Sequence, residues 1–363
     1  MKIVHTEASN GWGGQEIRIL EEARGMIARG HDVSVLCTPD ARIREEAPRF
    51  GVPVCALPIG RKRFPGLFAM RRWLAENRPD VVNTHSSTDS WLTGLACATL
   101  ANPPAIVRTR HISAPVAANA GSKWLYGRSA QHVVTTGESL KQMLIRDLGL
   151  QPENVTSVPT GIDTERFVPG DKASVRQTLG LSPDHHYLGI VATLRSWKGH
   201  LYLLEAFAQL GLADWTLLIV GEGPQSENIQ AKIATLGLQN KVLLVGQKTD
   251  PEVWMRAMDI FCLPSYANEG VPQALMQAML TGLPIVTTPV GAILEAVDDD
   301  ETALVVPPRN ADALAGAIGR LIADPQFAER LGQEARQRGE ARFSLHGMLN
   351  RMEQIFLAAA KLA

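Results

Sequence analysis

Leu263-Pro264-Ser265-Tyr266-Ala267-Asn268-Glu269-Gly270-Val271-Pro272-Gln273-Ala274-Leu275-Met276-Gln277-Ala278-Met279-Leu280-Thr281-Gly282-Leu283-Pro284 decides how the chain is read. The stretch opens on the end of an apolar strand, Ile260–Leu263, and turns through Gly270. It then enters a helix with Pro272 near its first position and Gly282 past its end. A second strand, Pro284–Thr287, follows at once. Both strands are continuously apolar, the pattern of strands buried on both faces of a parallel sheet between helices. Glu269 lies just ahead of the helix N-terminus in an otherwise apolar approach, and Gln277 follows two helical turns later. Gly270, Ala274 and Ala278 keep that side of the segment low. A helix serving structure alone has no use for the acid, so Glu269 is the first candidate for chemistry.

The same alternation runs outward in both directions. Upstream, Lys2–His5, Val33–Cys37, Asp80–Thr84, Ala105–Thr109 and His132–Thr136 read as strands. Around the opening stretch, so do Tyr187–Thr193, Thr216–Gly221, Val242–Gly246 and Ala303–Val306. Helices fill the gaps; Ile19, Leu20, Ala23, Met26 and Ile27 trace one face, with Gly30 at the C-terminal cap. The pattern pauses between Val158 and Asp184, where Pro159, Gly161, Pro169, Gly170 and Pro183 cluster, and then restarts. This predicts an α/β protein of two doubly wound, Rossmann-like domains, 1–165 and 166–344, facing across a cleft. Open parallel sheets bind ligands beyond the carboxyl ends of their strands. In the final segment, 345–363, Leu345, Met348, Leu349, Met352, Ile355, Phe356, Ala359 and Leu362 share a helical face. That face is expected to pack back on the N-terminal domain, a dimer interface being the other reading.

Composition narrows the function. At 363 residues, 45% apolar and 20% charged, the chain suits two soluble domains. Lys and Arg number 36 against 37 Asp and Glu, which excludes a nucleic-acid binder held by bulk positive charge. Residues 1–165 carry 19 basic and 16 acidic side chains, so the first half is the more cationic. Cys37, Cys55, Cys97 and Cys262 have neither zinc-knuckle nor CxxC spacing and read as small core residues in a reducing compartment. Met1-Lys2-Ile3-Val4-His5 runs straight into a strand, and the longest apolar stretch, Trp91–Val107, is broken by Asn102 and Pro103-Pro104. The expectation is a soluble, cytoplasmic protein.

Three more strand ends carry polar groups. Asn10-Gly11-Trp12-Gly13-Gly14-Gln15-Glu16 can bring backbone close to an anion at a helix start, although a tight turn also calls for glycine. Thr193-Leu194-Arg195-Ser196-Trp197-Lys198-Gly199 sets two cations on one loop, a cradle for a diphosphate or an ordinary solvated loop. Val220-Gly221-Glu222-Gly223-Pro224 shortens its loop and is no dinucleotide fingerprint. Separately, Arg61, Lys62, Arg63, Arg71 and Arg72 fall within thirteen residues lacking any acid, interleaved with Phe64, Leu67, Phe68, Met70 and Trp73. Such a segment suits an anionic membrane surface, or a helix with a solvated face.

The order and spacing of these segments resemble the retaining glycosyltransferases of family 4, the group 1 transferases with the GT-B fold. The resemblance spans nearly the whole chain. It includes Gly13-Gly14-Gln15-Glu16, Gly30-His31-Asp32-Val33, His111, Val158-Pro159-Thr160-Gly161-Ile162-Asp163, Phe167 and Pro169. It continues through Lys198-Gly199, Gly221-Glu222-Gly223, Pro264-Ser265, Glu269-Gly270, Pro284, Val286, Gly291 and Glu295. It implies that Glu269, the first Glu of the family's EX7E motif, contacts hydroxyls of the donor sugar and that Lys198 neutralises the leaving diphosphate. Gly13 and Gly14 would close on the donor, His111 would bind near the anomeric side, and the backbone of Gly270 and Val271 would hold sugar or phosphate. Gly221 and Glu222 would join the donor site.

Three positions depart from the family pattern. Gln277 stands at the second Glu, which bonds the ribose; its amide oxygen accepts one such bond without charge. Thr193 replaces an arginine, for which Arg195 would substitute, and Thr160 stands where Asn is usual. The resemblance implies a nucleotide-sugar donor, a glycan or lipid-linked acceptor, no cofactor and no metal, in cell-envelope polysaccharide or lipopolysaccharide synthesis at the inner face of the cytoplasmic membrane. Asp298-Asp299-Asp300 reads as solvated charge in a turn, not a metal-binding acid pair. The alternatives are a nucleotide-sugar-binding partner that no longer turns over, suggested by Gln277 and Thr193, and an epimerase, for which the Glu269–Gln277 segment is the wrong motif.

Overall fold

The computed structural model describes residues 1–112 and 114–362, which divide into two compact units. Unit 1 comprises Met1–Gly161 and the segment from His346 onward; unit 2 is Ile162–Leu345. The division falls in the proline-glycine cluster, just ahead of residue 165.

Unit 1 is built on a seven-stranded parallel sheet: β1 (Lys2–Glu7), β2 (Asp32–Cys37), β3 (Val54–Ala56), β4 (Val81–Thr84), β5 (Ala105–Arg110), β6 (His132–Thr135) and β7 (Val155–Ser157). Their order is β3-β2-β1-β4-β5-β6-β7, so the winding reverses between β1 and β4. One face of the sheet packs Val4, Leu36, Val82, Ile106 and Val133 against the helical residues Met70, Leu74, Leu92, Leu140 and Leu144. A buried side chain of this size contributes about 2 kcal/mol. The two edge strands, β3 and β7, are three residues each and lie outside the strands read from sequence.

The closing helix, Leu345–Ala360, buries Met348, Leu349, Met352, Phe356 and Ala359. Leu349 sits over Gly25, where a Cβ would strike it. Glu353 ties the helix down, accepting from Arg29 Nη1 at 2.6 Å and pairing with His31 Nε2 at 2.8 Å. Leu362, counted on the apolar face, is 71% exposed.

Unit 2 has a six-stranded parallel sheet: β8 (His186–Val191), β9 (Trp215–Val220), β10 (Val242–Gly246), β11 (Ile260–Leu263), β12 (Ile285–Thr287) and β13 (Leu304–Val305), ordered β10-β9-β8-β11-β12-β13. Its reversal lies between β8 and β11. Alternate residues of one strand enter opposite cores: Leu217 and Ile219 of β9 pack with Leu203, Leu204 and Phe207, while Leu218 and Val220 pack with Leu275, Met276 and Met279. Burial on both faces is why these strands read as unbroken apolar runs. One expectation is corrected here. Ala278 is fully buried in that second core, so the half-exposed face of the helix Gln273–Leu280 carries Gln273, Ala274 and Gln277 alone.

Candidate active site

Unit 2 brings its two leading candidates together where the strand order reverses. The loop after β8 ends in Lys198 and the loop after β11 carries Glu269. They meet backbone to backbone: a Cβ at Gly199, whose φ is +78°, would run into the Pro264 carbonyl. Tyr266 N donates to Trp197 O at 2.8 Å. The result is an ion pair, Lys198 Nζ to Glu269 Oε1 at 2.6 Å, with side chains only 18% and 5% exposed. Thr287 Oγ1 donates to Leu263 O at 2.9 Å and Thr288 Oγ1 donates to Ser265 O, fixing the start of the Glu269 loop. Behind it, a Cβ at Gly291 would run into the Glu269 carbonyl. Gly270 follows half-buried, Val271 turns its side chain into the core, and Gln277 stays on the half-exposed helix face.

Other candidates are not members of this ion pair. Arg195 is exposed, its guanidinium 5.7 Å from the centre of the Trp197 ring. Gly221 and Glu222 line a cavity of about 410 Å³ with Leu194, Gly223, Gln230 and Gly246, and neither Lys198 nor Glu269 is in that lining. The Asp298–Asp300 turn is tied down rather than merely solvated, Asp298 by Arg338 and Asp300 by Arg320 at 2.5 Å. Among the described residues no cluster of three or more His, Cys, Asp or Glu side chains is arranged to hold a metal ion.

His200, one residue past Gly199, escaped the sequence reading. It is 2% exposed, and burial, then the Lys198 charge, pull its pKa down to about 4. Because the folded value lies below the unfolded one, His200 supports folding fully above pH 6.5 and withdraws that support as pH falls towards 4. His200→Gln is therefore expected to shrink the stability lost between pH 7.5 and pH 5 by about 2 kcal/mol, read by urea titration at both pH values.

In unit 1, Gly13 caps the helix Gly14–Ala28, and Gly14 is that helix's first residue. Gly13 is extended, and a Cβ there would meet only the Glu16 carboxylate at 3.8 Å, so the turn itself does not demand glycine. His111 follows β5 and is half-buried. It ends a chain of three imidazoles, His5 Nδ1 to His85 Nε2 at 2.9 Å and His85 Nδ1 to His111 Nε2 at 2.8 Å. Burial and the charges of Arg18, Arg108 and Arg110 hold His111 well below the usual histidine range. Asp89, fully buried, accepts from Thr6 Oγ1 at 2.6 Å and from His85 N at 2.9 Å. Glu7, which accepts from Ser9 N at 2.7 Å and from the Gln15 amide, is pushed up to about 8 by burial and by Asp89. His5, Glu7, His85 and Asp89 were not singled out from sequence. The available signal was polar residues closing apolar strands, as in His5-Thr6-Glu7 and Asn83-Thr84-His85.

Two doubly wound parallel sheets, each with polar groups near a reversal of strand order, agree with the comparisons. The family model of the group 1 glycosyl transferases matches residues 171–338, and that of glycosyltransferase family 4 matches residues 12–166. The chain belongs to the group 1, family 4 glycosyltransferases, and its two parallel sheets with flanking helices are the GT-B architecture. It is 24% identical to the Escherichia coli UDP-Gal:alpha-D-GlcNAc-diphosphoundecaprenol alpha-1,3-galactosyltransferase, over 98% of this chain and 97% of that one. The lipopolysaccharide core biosynthesis mannosyltransferase LpsB of Rhizobium meliloti is 31% identical over 57% of this chain and 60% of its own length. Among solved structures, a Rickettsia africae glycosyltransferase aligns with a TM-score of 0.87 at 20% identity over 100% of this chain and 99% of its own. Anabaena HepE in complex with UDP-glucose aligns with a TM-score of 0.85 at 21% identity over 99% of this chain and 100% of its own. No helix among the described residues is long and apolar enough to cross a membrane.

Proposed function

We propose that this glycosyltransferase moves a sugar, with retention of configuration, from a nucleoside diphosphate to a glycan or lipid-linked acceptor of cell-envelope polysaccharide or lipopolysaccharide synthesis. The observation that carries the reading is the Lys198–Glu269 pair, a half-buried cation and a buried carboxylate at the strand reversal where open sheets bind nucleotides. Lys198 meets the charge that grows on the β-phosphate as the anomeric bond breaks. Glu269 holds donor-sugar hydroxyls, the Gly270 and Val271 amides hold sugar or phosphate at the helix start, and Gln277 bonds a ribose hydroxyl. Gly221, Glu222 and Arg195 serve the nucleotide, Gly13 and Gly14 give the donor a close backbone approach, and His111 binds near the anomeric side. The acceptor oxygen bonds to the anomeric carbon on the face the phosphate leaves, and its proton passes to the departing phosphate. With Lys198 supplying the positive charge, the reading needs no metal and no cofactor.

The E. coli relative is named for UDP-galactose and a diphosphoundecaprenol acceptor, which supports UDP as the nucleotide and a lipid-linked acceptor. Calorimetric titration of UDP, GDP, ADP and CMP tests this. UDP is expected to bind, and Lys198→Gln to weaken it about 10–100-fold, the worth of a charge-assisted bond to phosphate. Binding of none of the four would remove the reading.

A cytoplasmic enzyme resting on the inner membrane face is part of the same proposal. Phe64 and Phe68 stack with ring centres 6.4 Å apart and stand 74% and 65% exposed, beside exposed Arg61, Lys62 and Arg63. Leu67, Met70 and Trp73 instead pack inward. Sedimentation with phosphatidylglycerol vesicles is expected to carry the protein down. Phosphatidylcholine vesicles, or an Arg61→Glu/Arg63→Glu variant, are expected to leave it in solution.

A further inference from the structure

β1, β4 and β5 lie side by side, and their carboxyl ends set His5, His85 and His111 in one row. The ring centres lie 5.2 and 5.1 Å apart, with 16° and 32° between the ring planes, while their nitrogens bond in sequence. A neutral imidazole carries one N–H and one acceptor nitrogen, so a row of three has a direction. The far end sets it. His5 Nε2 is buried without a hydrogen-bond partner among the described residues, and the Phe356 ring stands edge-on to His5 at 6.2 Å. A buried N–H left without an acceptor costs about 1–3 kcal/mol and is the rarer orphan in folded proteins. The His5 proton therefore sits on Nδ1 and is donated to His85 Nε2. His85 must then carry its own proton on Nδ1, where it is donated to His111 Nε2.

We infer that His5 and His85 are positioning residues that fix the tautomer of His111, so that His111 holds its proton on Nδ1 and meets its ligand as a hydrogen-bond donor. The consequence for catalysis rests on the reading of His111 as a donor-site residue; the tautomer does not. Burial, reinforced by Arg18 at all three rings and by Arg108 at His85 and His111, keeps the row neutral near neutral pH. Nδ1–H then offers a bond to a sugar hydroxyl or phosphate oxygen and accepts no proton there.

Long-range ¹⁵N–¹H correlation on the ¹⁵N-histidine-labelled full chain at pH 7.5 reads the tautomer directly, with His111→Gln assigning the signal. The expected wild-type pattern is a pyrrole-like Nδ1 and a pyridine-like Nε2 at His111. The reverse pattern overturns the inference with no variant needed. His85→Asn, whose amide can still donate to His111 Nε2, is expected to keep the wild-type pattern. His85→Leu is expected to release His111 to the Nε2–H form that free imidazole side chains prefer. A folded His85→Leu protein that keeps Nδ1–H would overturn the role of His85. Loss of the pattern in His85→Asn would do so too. Because no turnover is measured, a chain that transfers no sugar would count against the functional reading and leave this result standing.

Discussion

Lys198→Ala is expected to lower the rate of sugar transfer about 10²–10³-fold, the usual effect of removing one preorganised group that stabilises transition-state charge. The loss should fall on kcat, because the charge on the β-phosphate is greatest as the anomeric bond breaks. The ion pair complicates the choice of variant. Lys198 lies 2.6 Å from a carboxylate that is 5% exposed, and taking away one side of a buried pair costs about 3 kcal/mol or more. Lys198→Ala therefore tests stability and chemistry at once, and an intact fold cannot be taken for granted. Lys198→Gln keeps a donor beside Glu269, so kcat and a urea titration are measured on both variants. A kcat loss in Lys198→Gln with the wild-type midpoint supports the charge role. A wild-type kcat in either folded variant removes Lys198 from the chemistry.

Gly291→Ala is expected to lower stability by about 3 kcal/mol or more, although Gly291 offers no side chain to the site. Its φ is +62°, a conformation that costs other residues roughly 1–2 kcal/mol. The added Cβ would also drive into the Glu269 carbonyl, a backbone atom that cannot swing aside. Relief comes only by moving the Glu269 loop, so activity should fall even below the melting transition. A variant with both wild-type stability and wild-type kcat would show that the contact is dispensable.

How far the residues could be read in advance follows from burial. Continuous apolar runs mark every strand from β1 to β13 except β3 and β7. β3 and β7 have one neighbour each and half-exposed residues, so three positions such as Val54-Cys55-Ala56 carry no pattern to find. Ala278 misled because an alanine fits a ligand-facing surface and a tight core equally well, and only the packing of Leu275 and Met279 around it decides. Lys198 and Glu269 were picked out separately, but their pairing spans 71 residues and depends on β8 and β11 becoming neighbours. The histidine row has the same origin. Within its own segment each imidazole passes for an ordinary core residue, and strand order alone makes three of them a chain.

The closing helix has a consequence for how the protein comes into being. Unit 1 starts at Met1 but takes Met352 and Phe356 into its core, while unit 2 is complete by Leu345. On a ribosome, the first sheet must wait for its last helix while the whole of the second is made, roughly 10–40 s at ordinary synthesis rates. During that interval the surface that later receives Leu349 and Phe356 is bare, and the nascent chain carries its own vacancy for a chaperone to guard.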